Sequence, residues 1–194
     1  AMADITEIDL GERVVQISGQ TATRCALTEA GKLKCWGENL VSEAGIADNV
    51  ASIASGVGLS LADAPFLDFG LDGSGDPRTV VEMAMGHNHG CAILSDDKLK
   101  CWGQSDYGSL GLNNNETEIG RADANQLLKD RAPVSGIGTG LLSVAVGSQF
   151  SCVVSSIGLK CFGLGDYNGQ GVTIGQTASA STDLAAANTT GFSP

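Results

Sequence analysis

Six cysteines constrain this chain more than any other feature, because they fall into three pairs at matched places in a repeated pattern. Cys25 and Cys35 bracket ALTEAGKLK, Cys91 and Cys101 bracket AILSDDKLK, and Cys152 and Cys161 bracket VVSSIGLK. An aromatic-glycine step follows each second cysteine: Trp36-Gly37, Trp102-Gly103 and Phe162-Gly163. The first cysteines lie 66 and then 61 residues apart, the signature of a repeat architecture.

The repeat extends upstream. Each pair is preceded by an apolar run, at Val14-Val15-Gln16-Ile17, Val80-Val81-Glu82-Met83 and Leu141-Leu142-Ser143-Val144-Ala145-Val146. A shorter run ending in glycine stands before that, at Ile5–Gly11, Ala64–Gly70 and Ala132–Gly138. Each unit thus offers four short strand candidates bounded by Gly, Asn and Asp turns. Helical periodicity is weak, with Ala122–Lys129 the best candidate for a turn or two. Glycine, at 27 of 194 residues, is about twice its usual share, as a turn-rich all-β chain requires.

Within a unit the two cysteine segments read as a hairpin. Pairing Cys25 with Cys35 sets Leu27 opposite Leu33 and centres the turn on Ala30-Gly31. Period-two alternation then puts cysteines and leucines on one face. Directly opposed strand positions suit a cross-strand disulfide, and each small loop so closed contributes about 2–3 kcal/mol. The third pair is one residue closer, which predicts a tighter turn at Ser156-Ile157. Three such bridges persist only in an oxidising compartment. The alternative is three pairs of reduced, buried thiols in a cytosolic protein. No CxxC occurs, so a zinc site has no support.

At these residues the chain resembles the regulator of chromosome condensation repeat family. The segments Met83-Ala84-Met85-Gly86-His87-Asn88-His89-Gly90-Cys91-Ala92-Ile93-Leu94 and Leu99-Lys100-Cys101-Trp102-Gly103, with the loop to Gly111, carry the likeness. The paired cysteines resemble the family's extracellular-type branch. The resemblance implies β-propeller blades of four antiparallel strands. Three propeller-type repeats over 3–171 are expected, with blade hairpins at about 14–37, 80–103 and 141–163. An Ala/Ser/Thr-rich linker or tail at 172–194 follows. Thr23 and Phe150 hold the place of His89 in the other units. A family propeller usually has seven blades, so three make an array that is incomplete as a single chain. Closure is expected either by a head-to-tail homodimer, in which Ile5–Leu10 completes the third blade of a partner copy, or by further blades.

Candidate sites are few. His87 and His89 are the only histidines, no G-x-S-x-G elbow occurs, and no catalytic residue, metal ligand or cofactor is assigned. Asp68, Asp72, Ser74 and Asp76 echo a calcium loop, but Pro77 and Met83 occupy positions that need glycine and glutamate, so a solvated β-turn is the better reading. Trp36, Trp102 and Phe162 share one repeat position and read as blade core. Asp106-Tyr107 and Asp166-Tyr167 follow those aromatics in loops on one propeller rim, where contact residues gather. Asn115 and Asn188 fit the glycosylation sequon.

With 11 Lys and Arg against 22 Asp and Glu, the net charge of −11 argues against nucleic acid as partner. No apolar stretch is long enough to insert in a membrane. The expectation is a secreted or cell-surface module that binds a protein or glycan through its loops. An inhibitor of a secreted enzyme is the alternative. Guanine-nucleotide exchange, which the nuclear relatives imply, ranks lower.

Overall fold

Residues 8–46, 51–53, 61, 63–113, 116–120 and 126–164 are described by the computed structural model. Alternation in each cysteine segment produces the hairpins. The first unit holds β1 (Val14–Gln20), β2 (Thr23–Thr28), β3 (Leu33–Glu38) and β4 (Ser52–Ile53). The second holds β5 (Val80–Met85), β6 (His89–Leu94), β7 (Leu99–Gln104) and β8 (Glu118–Ile119). The third holds β9 (Leu141–Val146), β10 (Phe150–Ser155) and β11 (Gly158–Gly163). Each unit is one antiparallel sheet in chain order.

The register follows from the cysteines. Cys25 faces Cys35 and Leu27 faces Leu33; Cys91 faces Cys101 and Ile93 faces Leu99. Cys152 faces Cys161, and Ser155 faces Gly158 across the two-residue turn Ser156-Ile157. All six cysteines are in disulfides, Cys25–Cys35, Cys91–Cys101 and Cys152–Cys161.

The fourth strands differ from expectation. They are the two-residue segments Ser52–Ile53 and Glu118–Ile119, which follow each hairpin and pair only with the Gly-Glu or Gly-Gln end of the third strand. The third sheet has three strands among the described residues. The apolar runs Ala64–Gly70 and Ala132–Gly138 join no sheet as strands. Instead, Leu67 N donates to Leu33 O and Val134 N to Leu99 O, so each lies along the preceding unit's third strand. Of Ile5–Leu10, residues 5–7 lie outside the described residues, as does Ala122–Asn125 of the helical candidate; Leu128–Asp130 is a short 3-10 turn.

Three lysines fix these connecting segments. Each stands between a leucine and a cysteine in the third strand, and each is buried: Lys34, Lys100 and Lys160. Lys100 Nζ donates to the carbonyls of Phe69, Leu128 and Lys129 at 2.9, 3.0 and 3.2 Å. Lys34 reaches Leu61 O and Lys160 reaches Gly136 O. Three carbonyls match the three donors of an ammonium, which offsets part of its lost hydration. Burial, then the nearby Arg78, still pulls Lys100 down to about 8.

Neighbouring units are joined by repeated devices. β1 packs on β5 and β5 on β9. Gln16 imitates a peptide group: its Nε2 donates to Met83 O at 2.8 Å and its Oε1 accepts from Met83 N at 3.2 Å. Glu82, at the same place in the second unit, accepts from Val144 N and Ser143 Oγ. Asp97, in the second hairpin turn, accepts from Gly140 N and Leu141 N, both at 2.7 Å. Those two donors hold its carboxyl below the ordinary range.

Candidate interaction site

The second and third sheets meet at one rim in a polar cleft of about 160 Å³. Three turns build it. The turn before β6 brings His87 and Asn88, the turn before β10 brings Ser148 and Gln149, and the loop after β7 brings Asp106 and Ser109. Gln104, the last residue of β7, ties two of these together: its side-chain Oε1 accepts from Asn88 Nδ2 at 2.6 Å, and its backbone N–H donates to Asn88 O.

The loop after β7 is tightly bound. Ser105 N donates to Thr117 O, Ser109 N to Asp106 O, Gly111 N to Gly108 O, and Ser109 Oγ to Gln104 O. These bonds hold Tyr107 at φ 56°, a left-handed conformation that a residue with a Cβ rarely adopts. Tyr107 is 43% exposed beside the half-buried Asp106.

His89 forms part of the cleft floor and is 1% exposed. Its Nε2 is 3.0 Å from Ser151 Oγ, and Ser151 Oγ donates to Ser109 O at 2.9 Å, so one hydroxyl links both sheets to the rim loop. Desolvation pulls the imidazole down to about 4, with the Phe150 backbone opposing it. At neutral pH His89 is therefore uncharged, and it serves as a wedge between units. His87 is exposed, so the two histidines have different surroundings.

The acidic loop is a turn. Asp72 Oδ1 accepts from Ser74 N and Asp76 N at 2.8 and 3.0 Å, which spends its lone pairs on the backbone and lowers its carboxyl below the usual range. Leu71 and Pro77 close the loop by a bridge. A larger cleft of about 290 Å³ lies along the connecting segments, lined by Ile46, Pro65, Phe66, Leu67, Leu127 and Leu128 among others. It holds fewer converging polar groups than the rim cleft.

Of the residues marked from sequence, Asp106 lines the rim cleft and Tyr107 follows it, exposed, in the same loop. Asp166, Tyr167, Asn115 and Asn188 lie outside the described residues. Trp102 and Phe162 are fully buried as blade core, whereas Trp36 is only half-buried. Sequence reasoning missed Asn88, Gln104, Ser109 and Ser151, which meet only when two sheets pack. It also missed the buried lysines, for which the recurring Leu-Lys-Cys step was an available signal.

The cleft presents amides, a carboxylate and an exposed imidazole, Tyr107 stands exposed in the adjoining loop, and every cysteine is in a disulfide. Comparison with known proteins agrees with the fold. Residues 80–109 match the regulator of chromosome condensation (RCC1) repeat model. Over 159 residues, 81% of this chain, the sequence is 27% identical to mouse E3 ubiquitin-protein ligase HERC2, of which that stretch is 3%. Over 86 residues, 44% of this chain, it is 35% identical to the human probable E3 ubiquitin-protein ligase HERC4, of which that stretch is 7%. The chain thus spans only a small part of these relatives.

Among solved structures, Prp20p from Saccharomyces cerevisiae superposes with a TM-score of 0.59 at 23% identity, covering 82% of this chain and 35% of Prp20p. Human WBSCR16 gives 0.58 at 22% identity, with 81% and 34% covered. Prp20p is the yeast RCC1 protein. The second unit of this chain is thus similar to the regulator of chromosome condensation repeat, and the three sheets share the blade fold of these solved structures.

Proposed function

We propose that this chain is a protein-interaction module that engages its partner through the rim loop at Asp106-Tyr107 and the adjoining polar cleft, in an oxidising, extracellular setting. Tyr107 carries the reading: it is exposed, aromatic and held in a strained conformation by a hydrogen-bonded loop. Tyrosine is favoured at binding hot spots because a large rigid surface is ordered at small entropic cost. Binding rather than turnover is the reading because His89, in the cleft floor, is 1% exposed and its Nε2 is taken up by Ser151 Oγ. Prp20p, described together with its binding to Gsp1p and histones, offers a precedent for protein binding on this fold. HERC2 and HERC4 are ligases by name, but the chain matches 3% and 7% of their lengths, so their activity lends no support here. The disulfides support the extracellular setting.

The test compares the wild type with Tyr107→Gly in capture of partners from the native extracellular fluid. Glycine accepts φ 56° without strain, so stability should stay within about 1 kcal/mol of wild type. Loss of a hot-spot tyrosine should weaken partner binding by about 2 kcal/mol, roughly 30-fold. Equal capture by both proteins defeats the rim reading, and capture abolished by glycosidase treatment identifies a glycan ligand instead. Alkylation of unreduced native material should label no cysteine; labelling of all six would remove the extracellular assignment.

A further inference from the structure

The rim cleft holds one charged side chain that the fold itself leaves unanswered. Most of the described carboxylates are spent on the structure. Glu43 accepts from Val41 N, Asp72 and Asp97 each accept from two backbone N–H groups, and Asp96 pairs with Arg78. Glu38, Asp76 and Asp130 accept no hydrogen bond through their carboxylates among the described residues, but all three are exposed, where water solvates them. Asp106 alone is half-buried, lines a cleft and has neither a hydrogen bond nor an ion pair to its carboxylate among the described residues.

The repeat does not require a carboxylate at that place. Leu40 and Asp106 each stand five residues before the glycine, Gly45 or Gly111, that lies against the next unit's aromatic ring. Where the first and second units meet, the position is therefore held by Leu40, which is 59% exposed. Asp106 belongs to the junction of the second and third units and not to the blade pattern.

The surroundings of Asp106 select a cation. The described lining of the cleft contains no lysine or arginine. Asn88 gives its Nδ2 to Gln104 Oε1, so its Oδ1 is left as an acceptor, and the side-chain amide of Gln149 supplies another. Nowhere among the described residues do three His, Cys, Asp or Glu side chains gather to hold a metal ion, so the cation is organic. At about 160 Å³ the cleft takes one side chain, since sites for drug-sized ligands begin at about 300 Å³.

We infer that the rim cleft takes the guanidinium of an arginine on the partner protein, with the Asp106 carboxylate as its counter-ion. A guanidinium carries five N–H donors in a fixed planar fork, which serve a carboxylate and neighbouring amide oxygens together. An ammonium is a point charge that holds its water more tightly. The chain's net charge of −11 draws a basic surface in. The inference rests on the rim being the contact surface and names what that surface recognises.

The probe is a capped tripeptide with arginine between two alanines, titrated at neutral pH into the isotope-labelled full chain and followed by NMR. Side-chain signals of His87, Asn88, Gln104 and Gln149 should shift together and saturate. Asp106→Asn keeps the size and removes the charge, and should weaken binding about 10-fold or more. The same peptide with citrulline should bind as weakly, and the lysine peptide several-fold below arginine. Leu40→Ser, at the matching place between the first and second units, should leave the titration unchanged. The backbone amide spectrum of each variant checks its fold. Absence of a saturable shift in the wild type overturns the proposal, as does equal binding by Asp106→Asn or by the citrulline peptide. A lysine peptide that binds more tightly than arginine overturns the guanidinium. If the native partner is still lost by Tyr107→Gly in any of these cases, the rim reading stands and only the arginine falls. Capture unchanged in Tyr107→Gly, beside a saturable and Asp106-dependent shift, keeps the arginine site and removes Tyr107 from the contact.

Discussion

Trp36 and Trp102 stand at one repeat position, each between a cysteine and a glycine and each opposite the residue that precedes the first cysteine of its unit. Yet Trp102 is fully buried and Trp36 is not. The two rings differ in their neighbours: Trp102 has the first unit's Glu43 and Gly45 to enter and Phe69 at 5.8 Å edge-on, while no such loop of a preceding unit stands among the described residues for Trp36. Burial in this fold is therefore supplied by the adjoining unit more than by the blade itself, as in any stack whose single repeats cannot cover their own apolar faces.

The largest expected effect comes from cutting both rings. Trp102→Ala removes a fully buried side chain and its indole hydrogen bond, and should cost about 3–5 kcal/mol. Trp36→Ala gives up less burial and should cost about 1–2 kcal/mol. Urea unfolding of both variants measures the gap. Equal losses would mean that the first unit's ring is as enclosed as the second's, and the comparison of middle and end units would fall.

What the sequence revealed of this arrangement depended on how local the cause was. The hairpin register, with Cys25 on Cys35 and Leu27 on Leu33, was legible because turn length and alternation act within a dozen residues. The turn at Ser156-Ile157 was legible for the same reason. The fourth strands were not: Ser52–Ile53 and Glu118–Ile119 are too short to show any periodicity. The longer apolar runs at Ala64–Gly70 and Ala132–Gly138 drew the assignment instead, although their apolar residues serve the preceding unit. Lys100 was read past because lysine is ordinarily solvated, and only the carbonyls of a distant segment make its burial tolerable. At the candidate site Asp106 and Tyr107 could be named from their place after Trp102. Asn88, Gln149 and Ser151 could not, since the packing of two sheets brings them together.

His89 sharpens the comparison by pH. It fills the seam between the second and third units, whereas Thr23 at the same place in the first unit bonds its own Glu38 O. Its folded value, about 4, lies below the ordinary 6.5. The unfolded chain therefore binds the proton first. The stabilisation is complete above about pH 6.5 and is lost as pH falls from there towards 4, by about 3 kcal/mol in all. Stability measured by urea unfolding at successive pH values should show this slope in the wild type. His89→Gln should flatten it by one proton's worth while Thr23→Ala leaves it intact. An unchanged slope in His89→Gln would place the titration elsewhere.

The smallest effect concerns the side-chain clamps between innermost strands. Gln16 meets both the N–H and the carbonyl of Met83, two backbone groups at the edge of β5 whose partner is otherwise water. Gln16→Ala frees both in a partly buried seam, at a cost of about 1–2 kcal/mol. Gln16→Glu keeps the acceptor for Met83 N but places a carboxylate oxygen against Met83 O, so it should lose nearly as much. Glu82, by contrast, accepts from Val144 N and Ser143 Oγ and meets no carbonyl in those bonds. Glu82→Gln should therefore change stability by less than about 1 kcal/mol. The contrast between Gln16→Glu and Glu82→Gln separates a clamp that needs a donor and an acceptor from one that needs acceptors alone. Equal responses to the two exchanges would show that the seam is held by the apolar residues beside it, Met83 and Val144, and that these polar bonds only follow the packing.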